Sequence, residues 1–150
     1  MATVMFRARC DRYTVSGAGT HVMPGHPMSV RTRTALANHG LTDPSHRSAE
    51  FDHLDARKAS LVVAMAPEHV EWVRRVHPDM AARTATLKRL CRDLEPAANL
   101  GSALAALDLA AVDLAEWEEI VDPAGGDHPE FGACADEISV LIDEFIRRVP

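Results

Sequence analysis

The 150-residue sequence has few cysteines, no long apolar run and no excess of positive charge. Each lack removes a class of function. Cys10, Cys91 and Cys134 are an odd, sparse set without CxxC spacing, which argues for free thiols in a reducing compartment and against a disulfide framework. No apolar stretch approaches the roughly 18 residues of a membrane span. The opening MATVMFRARC leaves no room for the apolar segment of a signal peptide. The expectation is a cytoplasmic protein with no membrane partner. A net charge of −6 argues against nucleic acid as a main partner.

Familiar catalytic spacings are missing as well. His21 and His26 are five apart, His46 and His53 seven apart, and no HExxH or paired Cys/His pattern occurs. The histidines are therefore read as solvent-facing or structural, with no metal site expected. Neither GxxxxGK[ST] nor GxSxG is present, and SGAGTHVMPG lacks the lysine and helix start of a phosphate cradle. A thiolate that attacks a phosphate ester needs a loop of backbone amides and a fixed guanidinium to lower its pKa and hold the oxyanion. In sequence that is a cysteine with an arginine six positions later. Six past Cys10 is Ser16, six past Cys91 is Ala97, and six past Cys134 is Val140, so none fits.

What remains is an ordinary globular balance of length, apolar and charged residues, read as a single domain over 1–150. ATVMFRAR can end a short helix through Val4, Met5 and Ala8. DRYTVSGAGT offers a brief Tyr-Thr-Val strand stopped by glycines, and HVMPGHPM is loop. In SVRTRTALANHG, Ser29 caps a helix, Val30, Thr34 and Ala37 share a face, and Gly40 supplies the stop. ASLVVAM is an apolar run of strand length suited to a sheet buried on both faces. It leads into a helix with Pro67 in its first turn and Val70, Val73 and His77 at helical spacing. ARTATLKRL is a weaker strand candidate. Strand, helix, strand in this order predicts a parallel α/β sheet. Leu100, Leu104, Leu107, Ala111, Leu114 and Glu118 follow helical steps, predicting an added helix near 96–118. A final helix carries Phe131, Cys134, Ile138, Leu141 and Phe145 on one face.

Between the last two helices lies IVDPAGGDHPEF. Proline fixes the backbone after Asp122, and Gly125 and Gly126 permit a sharp reversal. A carboxyl held this way can act as a general acid toward a leaving oxygen. The same residues also spell an Asx-turn before a helix, with Asp127 as N-cap and Pro129 in the first turn.

DRYTVSGAGTHVMPGHPMSVRTRTALANHGL, SHRSAEF, ASLVVAMAPEHVEWV and DPAGGDHPEF, in that order, resemble the low-molecular-weight protein tyrosine phosphatases and their related arsenate reductases. The resemblance implies a flavodoxin-like three-layer α/β sandwich with a parallel sheet ordered 2-1-3-4. It implies hydrolysis of phosphotyrosine or small aryl phosphates through a cysteinyl-phosphate, with no cofactor. Asp122 matches the acid that protonates the leaving phenol and then activates water. The CxxxxxRS loop that carries the nucleophile and its arginine is missing, along with the first strand. Ala124 stands where many relatives have an aromatic residue on the cleft wall. His46 and Arg47 fall near the active-site rim of relatives, with no role assigned.

Two explanations follow: translation assigned to an internal methionine, or a shortened paralogue that has lost catalysis. The first is favoured. Losing a central strand would leave YTVS and SLVVAM without ladder partners, each unpaired buried backbone group costing about 1–3 kcal/mol against a total stability of about 5–15 kcal/mol. Met1–Phe6 or a second subunit would have to fill such a gap. The 150-residue form is expected to be inactive. The rival readings are a non-catalytic interaction protein using the Leu100–Leu114 helix or a residual cleft, with a protein partner or self-association, and an arsenate-reducing relative. The latter needs resolving thiols that Cys10, Cys91 and Cys134 do not obviously supply.

Overall fold

A computed structural model describes residues 1–52 and 57–150. His53 therefore lies outside the described residues. In chain order the elements are α1 (Ala2–Arg9), α2 (Val30–Asn38), β1 (Val62–Ala64), α3 (Pro67–Val76), a 3-10 helix (Pro78–Arg83), β2 (Thr84–Thr86), α4 (Leu87–Asp93), α5 (Leu100–Ala105), a 3-10 turn (Glu116–Glu118) and α6 (His128–Arg148). They fall into two compact units. One comprises Met1–Phe51 and Val121–Asp143, the other Asp52–Ile120 and Glu144–Pro150.

In the first unit, α1 buries Val4, Met5 and Phe6, while the expected Ala8 is exposed. Helix α2 starts where Ser29 accepts a hydrogen bond from the Thr32 amide at 3.1 Å, satisfying one of the free amides of a helix start. It ends where Gly40 takes a left-handed φ of 70°. Its buried face is Ala35 and Leu36, not Val30, Thr34 and Ala37; Val30 is 62% exposed. The Tyr13–Val15 strand does not form. Both Nε and Nη2 of Arg7 donate to the Val15 carbonyl, at 3.1 and 2.6 Å, so a guanidinium takes the acceptor that a strand partner would use. Strand-like pairing here is limited to one parallel bridge, Gly19 with Glu50. On α6, Phe131, Cys134 and Ile138 are buried as expected, with Ala135 and Ile142 added, whereas Leu141 is only half-buried.

In the second unit, β1 and β2 pair in parallel, with Val62, Val63 and Ala64 opposite Thr84, Ala85 and Thr86. The expected strand–helix–strand unit is present, with Pro67 opening α3. Burial is complete on β2, whereas Val62 and Val63 of β1 are only half-buried. Thr86 ends β2 and caps α4, its hydroxyl accepting from the Arg89 amide at 3.1 Å.

The helix expected over Leu100–Glu118 is largely absent. Only Leu100–Ala105 is α-helical, and Asp108 sits at φ 46°, which breaks the run. The cause is tertiary. Arg74 Nη2 donates to the carbonyls of Leu109 and Val112 at 2.6 and 2.9 Å, taking acceptors a continuing helix would use internally, and Leu109 is buried. No described helix is long and apolar enough to cross a membrane.

Candidate functional site

Asp122 stands two residues past Ile120, whose amide donates to the Met65 carbonyl at 2.8 Å. Its Oδ1 accepts from the Ala124 amide at 2.9 Å, forming the Asx-turn. The chain then reverses over Pro123–Gly126: the Gly126 amide donates to the Pro123 carbonyl at 2.9 Å, and Gly125 has φ 86°, the left-handed value a type II turn needs at that place. A Cβ on Gly126 would lie 3.1 Å from that carbonyl and 3.0 Å from Glu130 Cβ, so the turn closes tightly on the first residues of α6. Glu130 Oε2 accepts from the Asp127 amide at 2.9 Å, half of a capping box that starts the helix. Pro129 lies in the first turn as expected.

The carboxyl of Asp122 is exposed, and its Oδ2 has no hydrogen-bond partner among the described residues. An oxygen in this state can exchange a proton with a bound molecule while its neighbour keeps the turn closed. Asp122 lines an open groove of about 390 Å³ with Pro123, Ala124, Glu130, Cys134 and Glu137. Arg31, from α2, reaches this loop, donating to the Gly126 carbonyl and lying 5.3 Å from the centre of the Phe131 ring. Sequence spacing offers no signal for that approach, because Arg31 and Gly126 are 95 residues apart.

Cys134 shares the groove with Asp122 but does not make a nucleophile. Burial pushes its thiol pKa up, and the carboxylates of Glu137 and Asp122 push it further. Cys91 is pushed up to about 11 by burial and then by Glu144. Cys10 is buried as well. Thiolate formation, which reactivity requires, is opposed at Cys134 and Cys91 and screened from solvent at Cys10. In the native chain all three thiols are expected to react with a disulfide reagent far more slowly than in the unfolded chain at about pH 8. Rapid native labelling of any one of them would contradict this.

His46 and Arg47 line a second, polar recess of about 250 Å³, along with Arg7, Ser16, Asp43 and Ser45. Its charges largely meet internal partners: Ser45 donates to Asp43 at 2.7 Å, Arg7 lies 3.9 Å from Asp43, and Arg47 donates to the Pro44 and His46 carbonyls. Among the described residues no group of three or more His, Cys, Asp or Glu side chains could hold a metal ion.

Residues 1–99 match the sequence profile of the family described as low molecular weight phosphotyrosine protein phosphatase. The low molecular weight protein-tyrosine-phosphatase Etp of Escherichia coli K12 is 29% identical over 80 residues, covering 53% of this chain and 54% of that protein. The chain thus spans about half the length of the curated relatives it matches. Among solved structures, the arginine phosphatase YwlE from Geobacillus stearothermophilus superposes with TM-score 0.77 at 23% identity, over 97% of this chain and 80% of that one. A low molecular weight protein tyrosine phosphatase from T. tengcongensis gives 0.78 at 22%, over 99% and 88%. At these identities the likeness establishes the fold, a flavodoxin-like α/β arrangement with a parallel sheet.

Proposed function

Because the chain belongs to the low molecular weight phosphotyrosine protein phosphatase family, we propose that Asp122 is the general acid and base of a phosphate-monoester hydrolase site whose thiolate is not among these 150 residues. The single observation that carries the reading is the state of Asp122. One of its oxygens is engaged by the turn and the other is unengaged at an open groove.

In the first step a thiolate attacks phosphorus and the bond from phosphorus to the ester oxygen breaks. Asp122 gives its proton to that oxygen, so a neutral phenol leaves. In the second step water attacks phosphorus, Asp122 takes a proton from it, and the sulfur–phosphorus bond breaks to regenerate the thiolate. The reaction thus needs a Cys-x5-Arg loop. No cysteine here has an arginine six residues on, and the three thiols are buried. By itself the 150-residue chain is therefore inactive on this reading. Phosphotyrosine or a small aryl phosphate is the proposed substrate class of a form that carries the loop.

The alternative, a non-catalytic interaction protein, loses the helix as a docking surface and keeps only a residual cleft. The amphipathic Leu100–Leu114 helix that would have docked a partner is six residues long, and Leu104 and Leu109 are buried. The test is to read the transcript upstream of the Met1 codon and express the longer product. An in-frame Cys-x5-Arg segment that confers phosphate-ester hydrolysis supports the proposal. A stop codon directly upstream with no such segment defeats it and favours the non-catalytic protein.

A further inference from the structure

We propose that Arg31 is a positioning residue for Asp122, holding the Asp-Pro loop against α2 by its grip on Gly126. The inference rests on the reading of Asp122 as the proton donor. Arg31 lies in the first turn of α2, which carries no acidic residue, and the helix dipole there disfavours a cation. Among the described residues it has no carboxylate partner either. Neither local helix stability nor an ion pair accounts for a half-buried guanidinium at this position.

Its interactions all go to one place. The guanidinium donates to the carbonyl of Gly126, the last residue of the turn that begins at Pro123, and covers the ring of Phe131 just inside α6. A charged donor on a carbonyl is stronger than a neutral one, and a cation over a ring adds attraction where water is partly excluded. Gly125 and Gly126 are the most permissive backbone in the loop, since neither carries a side chain to restrict it. Fixing Gly126 from outside removes that freedom at the downstream end. The upstream end is fixed by the Asx-turn from Asp122 to Ala124. Asp122 thus offers its unengaged oxygen from the start of a loop whose far end is held by Arg31.

The test is amide hydrogen exchange in the 150-residue chain for Arg31→Leu and Arg31→Lys. Leucine keeps apolar contact with Phe131 and removes every donor; lysine keeps a charged donor without the planar fork. In Arg31→Leu, exchange at Ala124 and Gly126 is expected to quicken about tenfold, the loss of one charge-assisted hydrogen bond. Ala135, Ile138 and Ile142 should stay within about twofold, and Arg31→Lys should recover part of the protection. Unchanged rates at Ala124 and Gly126 would overturn the proposal. So would equal acceleration along α6, which would mean a general loss of stability, or a lysine variant indistinguishable from leucine. Exchange reads the loop without any phosphoryl transfer, so a negative result here leaves the chemistry of Asp122 standing. Conversely, an Asp122 variant of full activity in a longer product would defeat the acid and leave the exchange result intact.

Discussion

Glu118→Ala is expected to cost about 3–5 kcal/mol of folding stability, the usual consequence of stranding one member of a buried ion pair. Glu118 is 0% exposed. Its Oε1 lies 2.5 Å from Arg89 Nη2 and its Oε2 lies 2.9 Å from Arg89 Nε, a two-pronged pair. The Thr86 hydroxyl donates to Oε2 at 2.7 Å and the Ala115 amide to Oε1 at 2.9 Å. One carboxylate thus joins the end of β2, the first turns of α4 and the 3-10 turn at Glu116–Glu118. Without it the almost buried Arg89 keeps the Asp113 carbonyl at 2.6 Å, Asp93 at 3.5 Å and the ring of Trp117, of which only the more distant Asp93 carries a compensating charge. Urea unfolding followed by tryptophan fluorescence reads the change. Replacing the pair together, Arg89→Met with Glu118→Leu, is expected to restore only part of the stability: two apolar side chains avoid the desolvation of two charges, but the Thr86 hydroxyl and the Ala115 amide still lose their acceptor. A loss below about 1 kcal/mol in Glu118→Ala would mean that the pair is solvated in solution.

The same carboxylate sets part of the acid limit. Burial alone would raise its pKa. The hydrogen bonds from Arg89, Thr86 and Ala115, and the Arg89 charge, outweigh burial and hold it below the ordinary 4.5. A depressed folded-state pKa means that its stabilisation is complete above the unfolded value. It is lost as the pH falls below about 4.5 and on through the folded value.

In a longer product that carries the thiolate loop, Asp122→Asn is expected to lower kcat on phenyl phosphate by about 100- to 10,000-fold. Asparagine can still accept the Ala124 amide with its carbonyl oxygen, so the turn is kept while the transferable proton is lost. The loss should be much smaller with p-nitrophenyl phosphate, whose leaving group departs without full protonation. Steady-state kinetics on the two esters check this. Equal losses on both would point to a role for Asp122 in binding or folding.

Much of the fold can be read from local pattern. Pro67 with Val70 and Val73 marks α3, Ser29 and Gly40 bracket α2, and the last helix shows its apolar face from Phe131 to Phe145. The Asp-Pro turn is legible too, because proline, two glycines and an acid leave few backbone solutions. The misses share a cause. Leu100–Glu118 has a strong helical period, yet Arg74 takes two of its carbonyls; Tyr13–Val15 has strand composition, yet Arg7 takes the carbonyl of Val15. Long cationic side chains redirect backbone acceptors, from eight residues away at Val15 and from 35 and 38 away at Leu109 and Val112, and periodicity carries no trace of them. Arg31 escaped notice for the same reason. At the site, Asp122 is visible in the sequence, whereas the groove it shares with Cys134, Glu130 and Glu137 exists only in three dimensions.

The most direct measurement is hydrolysis of p-nitrophenyl phosphate by the purified 150-residue chain beside its Asp122→Asn variant. With no reactive thiolate among these residues, neither protein should release nitrophenol above the buffer rate. Turnover by the unaltered chain, whether or not Asp122→Asn reduces it, would contradict the account, because it would place a working nucleophile inside a sequence said to hold none.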